Sequence, residues 1–250
     1  MNYFLHINFI FKKVSHSSLI SYLLSFIFLF TGPSSRAQGD NAQEVIRKVK
    51  LKLDKVNDYV ADGNMKTNVI FIKAPIAKVK IYFKKPNKLK IRNVSGISFI
   101  PKGSINVNIG NVLTNTNGYD LIDVGKEEKT GLRIIKLLPR DDTAEIILST
   151  LYIDEQQSLV KKAKTTTKDN GTYELEMTYG KFSEYGLADK LIFSFNVKDY
   201  KLPKGVTFDY DPGNKKKQDA NALKNKKGKV EIIYSGYQIN KGVPDYVFTE

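Results

Sequence analysis

The sequence predicts a mainly β protein of the α+β class: a curved antiparallel sheet with one helix at its N-terminal side. Three observations lead there. From Val79 onward, segment after segment alternates apolar and polar residues with a period of two. Earlier, between Asp40 and Asn57, apolar residues recur at helical spacing instead. The two kinds of element are also out of balance. About eight to ten one-sided strands share a single long helix, which cannot cover so wide an apolar face, so the sheet must curl around it or leave a groove.

The elements follow in chain order. Lys12 and Lys13 precede an apolar run from Leu19 to Phe30; Gly32-Pro33 and Ser35-Arg36-Ala37 come next, with small residues where a cleavage site needs them. That order is a secretory signal peptide, and the run of about a dozen apolar residues falls short of the roughly 20 that span a bilayer. Residues 1–37 are expected to be removed near Ala37, leaving 38–250 as one domain in a compartment outside the cytoplasm, read as a bacterial periplasm. Loss of Lys12, Lys13 and Arg36, with no acid, lowers the net charge from +14 to +11. Cysteine is absent, so neither a disulfide nor a cysteine-borne lipid anchor is expected.

Asp40 is the expected helix N-cap, with Gln43 completing a capping box. Val45, Val49, Leu53 and Val56, with Ile46 beside them, form one apolar face to about Asn57, while Arg47, Lys48, Lys50, Lys52 and Lys55 occupy the other. After Gly63 the period changes. Val79, Ile81 and Phe83 alternate with Lys80, Tyr82 and Lys84; Leu89 and Ile91 resume after Pro86-Asn87. Leu151 and Ile153 mark a further short strand. Tyr173, Leu175, Met177 and Tyr179 set against Glu174 and Glu176 make another, as do Leu191, Phe193, Phe195 and Val197. Val230 to Tyr237 and Asp245 to Phe248 read as the closing pair. Pro86-Asn87, Asp169-Asn170-Gly171, Tyr185-Gly186 and Pro203-Lys204-Gly205 supply the turns. The alternation implies antiparallel strands with one wet and one apolar face. Whether that face is filled by side chains or encloses a cavity, the pattern leaves open.

Composition excludes much chemistry. Both histidines, His6 and His16, lie in the leader, so the mature chain has no His, Cys or Trp. Ser-His-Asp and Cys-His catalysis and every zinc site built on His or Cys are thereby ruled out. Carboxylate pairs exist at Glu127-Glu128, Asp141-Asp142 and Glu174/Glu176, but the first two read as solvated loop charge and the third as the wet side of a strand. Asp209-Tyr210-Asp211 begins like a calcium loop that Asn214 and Ala220 do not continue. No enzyme activity, metal or cofactor is expected. Ile97 to Thr116 fits neither period; its apolar residues, Phe99 and Ile100 among them, suit a lid over a cavity mouth or a buried loop. A Lys-rich loop over 213–229, including Lys215, Lys216, Lys217, Lys224, Lys226, Lys227 and Lys229, is a solvated loop or a contact for an anionic membrane surface. Nucleic acid is not an expected partner, since export removes it from reach and no binding motif accompanies the charge.

Lys84-Lys85-Pro86-Asn87-Lys88-Leu89, placed after a helix and a strand, resembles the LolA/RseB-like superfamily of periplasmic lipoprotein carriers, which includes outer-membrane lipoprotein-sorting proteins. Tyr119, Gly125, Gly131, Arg133 to Pro139 and Leu151-Tyr152-Ile153-Asp154 are similar in order to the RseB branch. Tyr185-Gly186, Lys190 to Phe193 and Leu202 to Val206 resemble the carrier's closing strands. The resemblance spans roughly 42–210 and implies an antiparallel half-barrel with lid segments over an apolar cavity for acyl chains. On that basis Val79, Ile81, Phe83, Leu89, Ile91, Leu175, Met177, Phe193 and Phe195 are the expected cavity lining, with Lys85, Phe99 and Ile100 as closure candidates. In the carrier an arginine stands where this chain has Lys85; a lysine is a point charge, not a planar two-pronged donor, so the same closing contact is not expected. The implied function is carriage of a lipid or lipoprotein acyl chain with an inner- or outer-membrane protein as donor or acceptor. An RseB-like lipid sensor acting through a protein partner and a structural envelope protein are the alternatives.

Overall fold

The computed structural model describes residues 37–69, 72–73, 76–96, 113, 116–169, 171–196 and 227–249. Phe99, Ile100, the Pro203 turn and most of the Lys-rich segment lie outside them. Helix α1 (Ala37–Asp54) precedes strands β1 (Asp58–Val69), β2 (Ile72–Lys73), β3 (Ala77–Lys84), β4 (Lys88–Ser95), β5 (Tyr119–Lys126) and β6 (Arg133–Pro139). Next come β7 (Ile146–Asp154), β8 (Leu159–Thr167), β9 (Gly171–Thr178), β10 (Lys190–Asn196), β11 (Lys227–Ile239) and a closing helical turn, α2 (Tyr246–Thr249).

Every strand pairing is antiparallel. The order is β4-β3-β1-β11-β10-β9-β8-β7-β6-β5, with β2 paired to β1. Among the described residues β4 and β5 are not joined, so the curved sheet, ten strands in this order with β2 beside them, stays open as a half-barrel. Chain-adjacent strands pair through short turns, as the alternating pattern predicts. Besides the β4/β5 gap, the departures are β3, which pairs with β1 rather than β2, and β11, which pairs with β10 but also crosses back from the C-terminal end to lie against β1.

The inner face of the sheet and one side of α1 form a continuous apolar core. Ala42, Val45, Ile46 and Val49 of the helix share it with Ile81 of β3, Ile135 and Leu137 of β6, Leu151 and Ile153 of β7, and Val230 and Ile232 of β11. At the β5 edge the face carries charge: the buried carboxylate of Asp123 pairs with Arg133 and accepts the Gly125 backbone N–H at 3.0 Å. That carboxylate has two kinds of donor, which is what lets it sit out of water. Among β7 and β8, Ser149 and Thr165 bury their hydroxyls against each other at 2.9 Å.

Three expectations are corrected. The helix starts at Ala37, so Asp40 lies inside it and is not the N-cap. Residues 37–40 contain no proline, and helical hydrogen bonding extends back through them. It ends at Asp54 rather than Asn57, because the chain there is taken up elsewhere: Lys85 N donates to Asn57 O at 2.8 Å, and Asn240 bridges Asn57 N and Lys55 O at 2.7 Å each. Asp245 to Phe248 is not a strand. Its backbone closes turns (Phe248 N to Asp245 O, 3.0 Å), Val247 is buried, and Asp245 accepts from both Lys84 and Lys88, at 3.0 and 2.8 Å.

Candidate functional site

Between α1 and the inner face of the sheet lies a cavity of about 210 Å³. Its walls come from both halves of the chain because β11 returns to the middle of the sheet. Ile81, Phe83, Leu89 and Ile91 of β3 and β4 form one side; Leu175, Met177, Leu191 and Phe193 of β9 and β10 form the other. Val230 and Ile232 of β11 join them, and Val49, Leu53 and Val56 close it from the helix side. Leu113, from the segment that fits neither period, is fully buried and also borders the space.

The geometry rests on close approaches. Gly186 has φ +67°, and a Cβ there would stand 2.9 Å from Leu53 Cδ2, so glycine lets the 183–186 turn meet the helix. Lys52 Nζ donates to Ser183 O at 3.3 Å, and Lys55 pairs with Glu184 at 3.2 Å across the same contact. Where α1 ends, Asp54 draws in Lys50 at 2.6 Å and Lys85 at 3.5 Å, and Lys85 also donates to Asp54 O at 3.0 Å. Cations at the last carbonyls of a helix are where its dipole favours them. Lys50, Asp54 and Lys85 are thus the charged part of the cavity's border.

One wall is aromatic and phenolic. Tyr59 stacks on Phe83 with centroids 5.2 Å apart and meets Tyr237 edge-on at 5.4 Å. Tyr237 stacks on Tyr234 at 5.1 Å. All three tyrosines, with Tyr179, border the cavity. Tyr237 donates to Ala188 O at 2.6 Å and Tyr179 to Val160 O at 2.8 Å. Burial pushes the Tyr234 hydroxyl up to about 12. It pushes Tyr59, Tyr179 and Tyr237 higher still; Tyr234 adds to the rise at Tyr59, and Tyr234, Tyr59, Asp189 and Tyr179 add to it at Tyr237. All four hydroxyls therefore stay neutral.

No family model and no curated protein matches this sequence. Solved structures do match the backbone. A putative outer membrane lipoprotein-sorting protein domain from Vibrio parahaemolyticus superposes with a TM-score of 0.52 at 10% identity, covering 84% of this chain and 97% of that one. A LolA superfamily protein from Nitrosomonas europaea gives a TM-score of 0.52 at 12% identity, covering 84% and 97%. The fold is LolA-like.

Within this LolA-like half-barrel, Ile81, Phe83, Leu89, Ile91, Leu175, Met177 and Phe193 border the cavity. Val79 and Phe195 face the same way but lie in the packed core, 1% and 2% exposed. Lys85 sits at the border, tied to the end of α1. Phe99 and Ile100 lie outside the described residues. Sequence reasoning missed the tyrosine wall. Tyr234 and Tyr237 both fall in the expected Val230–Tyr237 strand, but nothing in the sequence assigns them and Tyr59 to one face. Among the described residues no helix is long and apolar enough to cross a membrane, and no cluster of acidic, His or Cys side chains is arranged to hold a metal.

Proposed function

We propose that this chain is an exported carrier that shields part of a lipid or lipoprotein acyl chain from water, in a bacterial envelope, without chemistry of its own. The observation that carries the reading is the apolar cavity between α1 and the open sheet, lined from both halves of the chain. Each methylene the cavity takes out of water is worth roughly 0.8 kcal/mol, so a short stretch of chain is held firmly enough to shield and weakly enough to release. Carriage requires that reversibility: a ligand bound much more tightly would not pass to an acceptor.

The test is direct. The full chain is expressed in its native envelope, purified, extracted with organic solvent and analysed by mass spectrometry. Stoichiometric acyl lipid in the extract is the expected result. Absence of lipid, together with no uptake of a fluorescent fatty acid by the purified protein, would overturn carriage.

A further inference from the structure

We propose that Tyr59 and Tyr234 form a polar anchor inside the cavity that hydrogen-bonds a neutral acyl ester carbonyl. This rests on the carrier reading and assigns the part of the ligand that the apolar walls cannot recognise. Both tyrosines border the cavity, half-buried. Their neighbours Tyr179 and Tyr237 hydrogen-bond to backbone carbonyls of the protein, whereas neither the Tyr59 nor the Tyr234 hydroxyl has a partner among the described residues. A phenol held away from bulk water without a partner is destabilising, and the arrangement is explained when a ligand supplies the acceptor. The two rings are held for it. Each packs on Tyr237, edge-on at 5.4 Å and stacked at 5.1 Å, and Tyr59 also stacks on Phe83.

The chemistry of the surroundings selects a neutral acceptor. The cavity's two bordering lysines, Lys50 and Lys85, are both engaged by Asp54 at the end of α1. Asp189 adds a negative charge beside Tyr237, the ring on which both anchors pack. A free carboxylate placed between the two hydroxyls would be desolvated without a cation of its own. An ester carbonyl accepts the same two hydrogen bonds at no such cost. Acyl chains in ester linkage, as in a diacylglyceryl group or a phospholipid, are therefore preferred over free fatty acids.

Binding of three probes to the full chain and to its Tyr59→Phe, Tyr234→Phe and double variants tests this: cis-parinaric acid, its methyl ester, and the hydrocarbon diphenylhexatriene. The wild type is expected to bind the ester more tightly than the acid at neutral pH. The double variant should lose roughly 5- to 100-fold of ester affinity, from two hydrogen bonds, and keep its affinity for the hydrocarbon. Ester binding unchanged in the double variant, or acid bound more tightly than ester by the wild type, overturns the anchor and leaves carriage standing. Failure of all three probes to bind the wild type overturns both. The unliganded variants serve as an independent check. Their melting temperatures should equal or exceed the wild type's, because an unpartnered hydroxyl has been removed; a drop of several degrees would mean the protein already satisfies those hydroxyls, and would also overturn the anchor.

Discussion

Tyr234 and Tyr237 stand three apart on β11, a spacing that puts two strand residues on opposite faces, yet both border the cavity. The cause is one extra residue. Tyr234 pairs with Gly63 and Gly236 with Asp62, so Ser235 is bulged out, where its Oγ donates to Asp62 O at 3.1 Å. The bulge turns Tyr237 inward onto Tyr59 and Tyr234. A strict period of two, as read from the sequence, hides this. The cluster has a consequence at high pH. In the unfolded chain these phenols ionise near 10, while the folded state holds Tyr234 up to about 12 and the others higher. The unfolded state therefore loses protons first. The stability conferred by the neutral tyrosines is whole below about pH 10 and is lost as pH rises through 12. Tyrosinate absorbance and circular dichroism followed together should show these hydroxyls ionising with unfolding; ionisation of every tyrosine near pH 10 with the fold intact would contradict it.

At the level of elements, legibility tracked how apolar the inner residues are. β3 was plain because its inner positions are Ala77, Val79, Ile81 and Phe83, all buried, with lysines and Tyr82 between them. β1 was not, since on its inner face Ala61, Gly63 and Thr67 are small or polar and leave only Tyr59 and Met65 as large residues, too few to mark an alternation. β8 was hidden likewise by Ala163, Thr165 and Thr167. Small inner residues are what close approach demands. On β11, a Cβ at Gly228 would stand 2.5 Å from Cζ of Phe195, whose ring is buried and packed against Phe193 at 5.6 Å. With that ring confined, Gly228→Ala should cost about 1–3 kcal/mol, read as a lower urea midpoint at unchanged slope. A variant as stable as the wild type would show that Phe195 has room to move.

For the whole molecule, the decisive fact is that among the described residues β4 and β5 stay apart, leaving an open sheet with a helix seated on one part of its inner face. Ala42, Val45 and Ile46 of α1 pack in the core, while its later residues Val49 and Leu53 border the cavity. Filling that space should separate binding from folding. Met177 borders the cavity, is half-buried and is replaceable by a larger ring, so Met177→Trp is expected to lower fatty-acyl probe affinity by at least about tenfold while costing no more than about 1–3 kcal/mol of stability. Unchanged uptake would place the ligand elsewhere. The sequence alone determined the fold class, the helix with its apolar face, most of the inner residues of β3, β4, β9 and β10, and the absence of His and Cys from residues 38–250. Those follow from local period and residue type. Only the tertiary structure decided that α1 starts before Asp40, that the last segment is a helical turn, and that Val79 and Phe195 belong to packed core while their neighbours line a void. It alone decided, too, that β11 inserts between β1 and β10 and, through one bulge, gathers three tyrosines on one wall. Those outcomes depend on contacts between residues far apart in the chain, and a periodicity read along the chain carries no information about them.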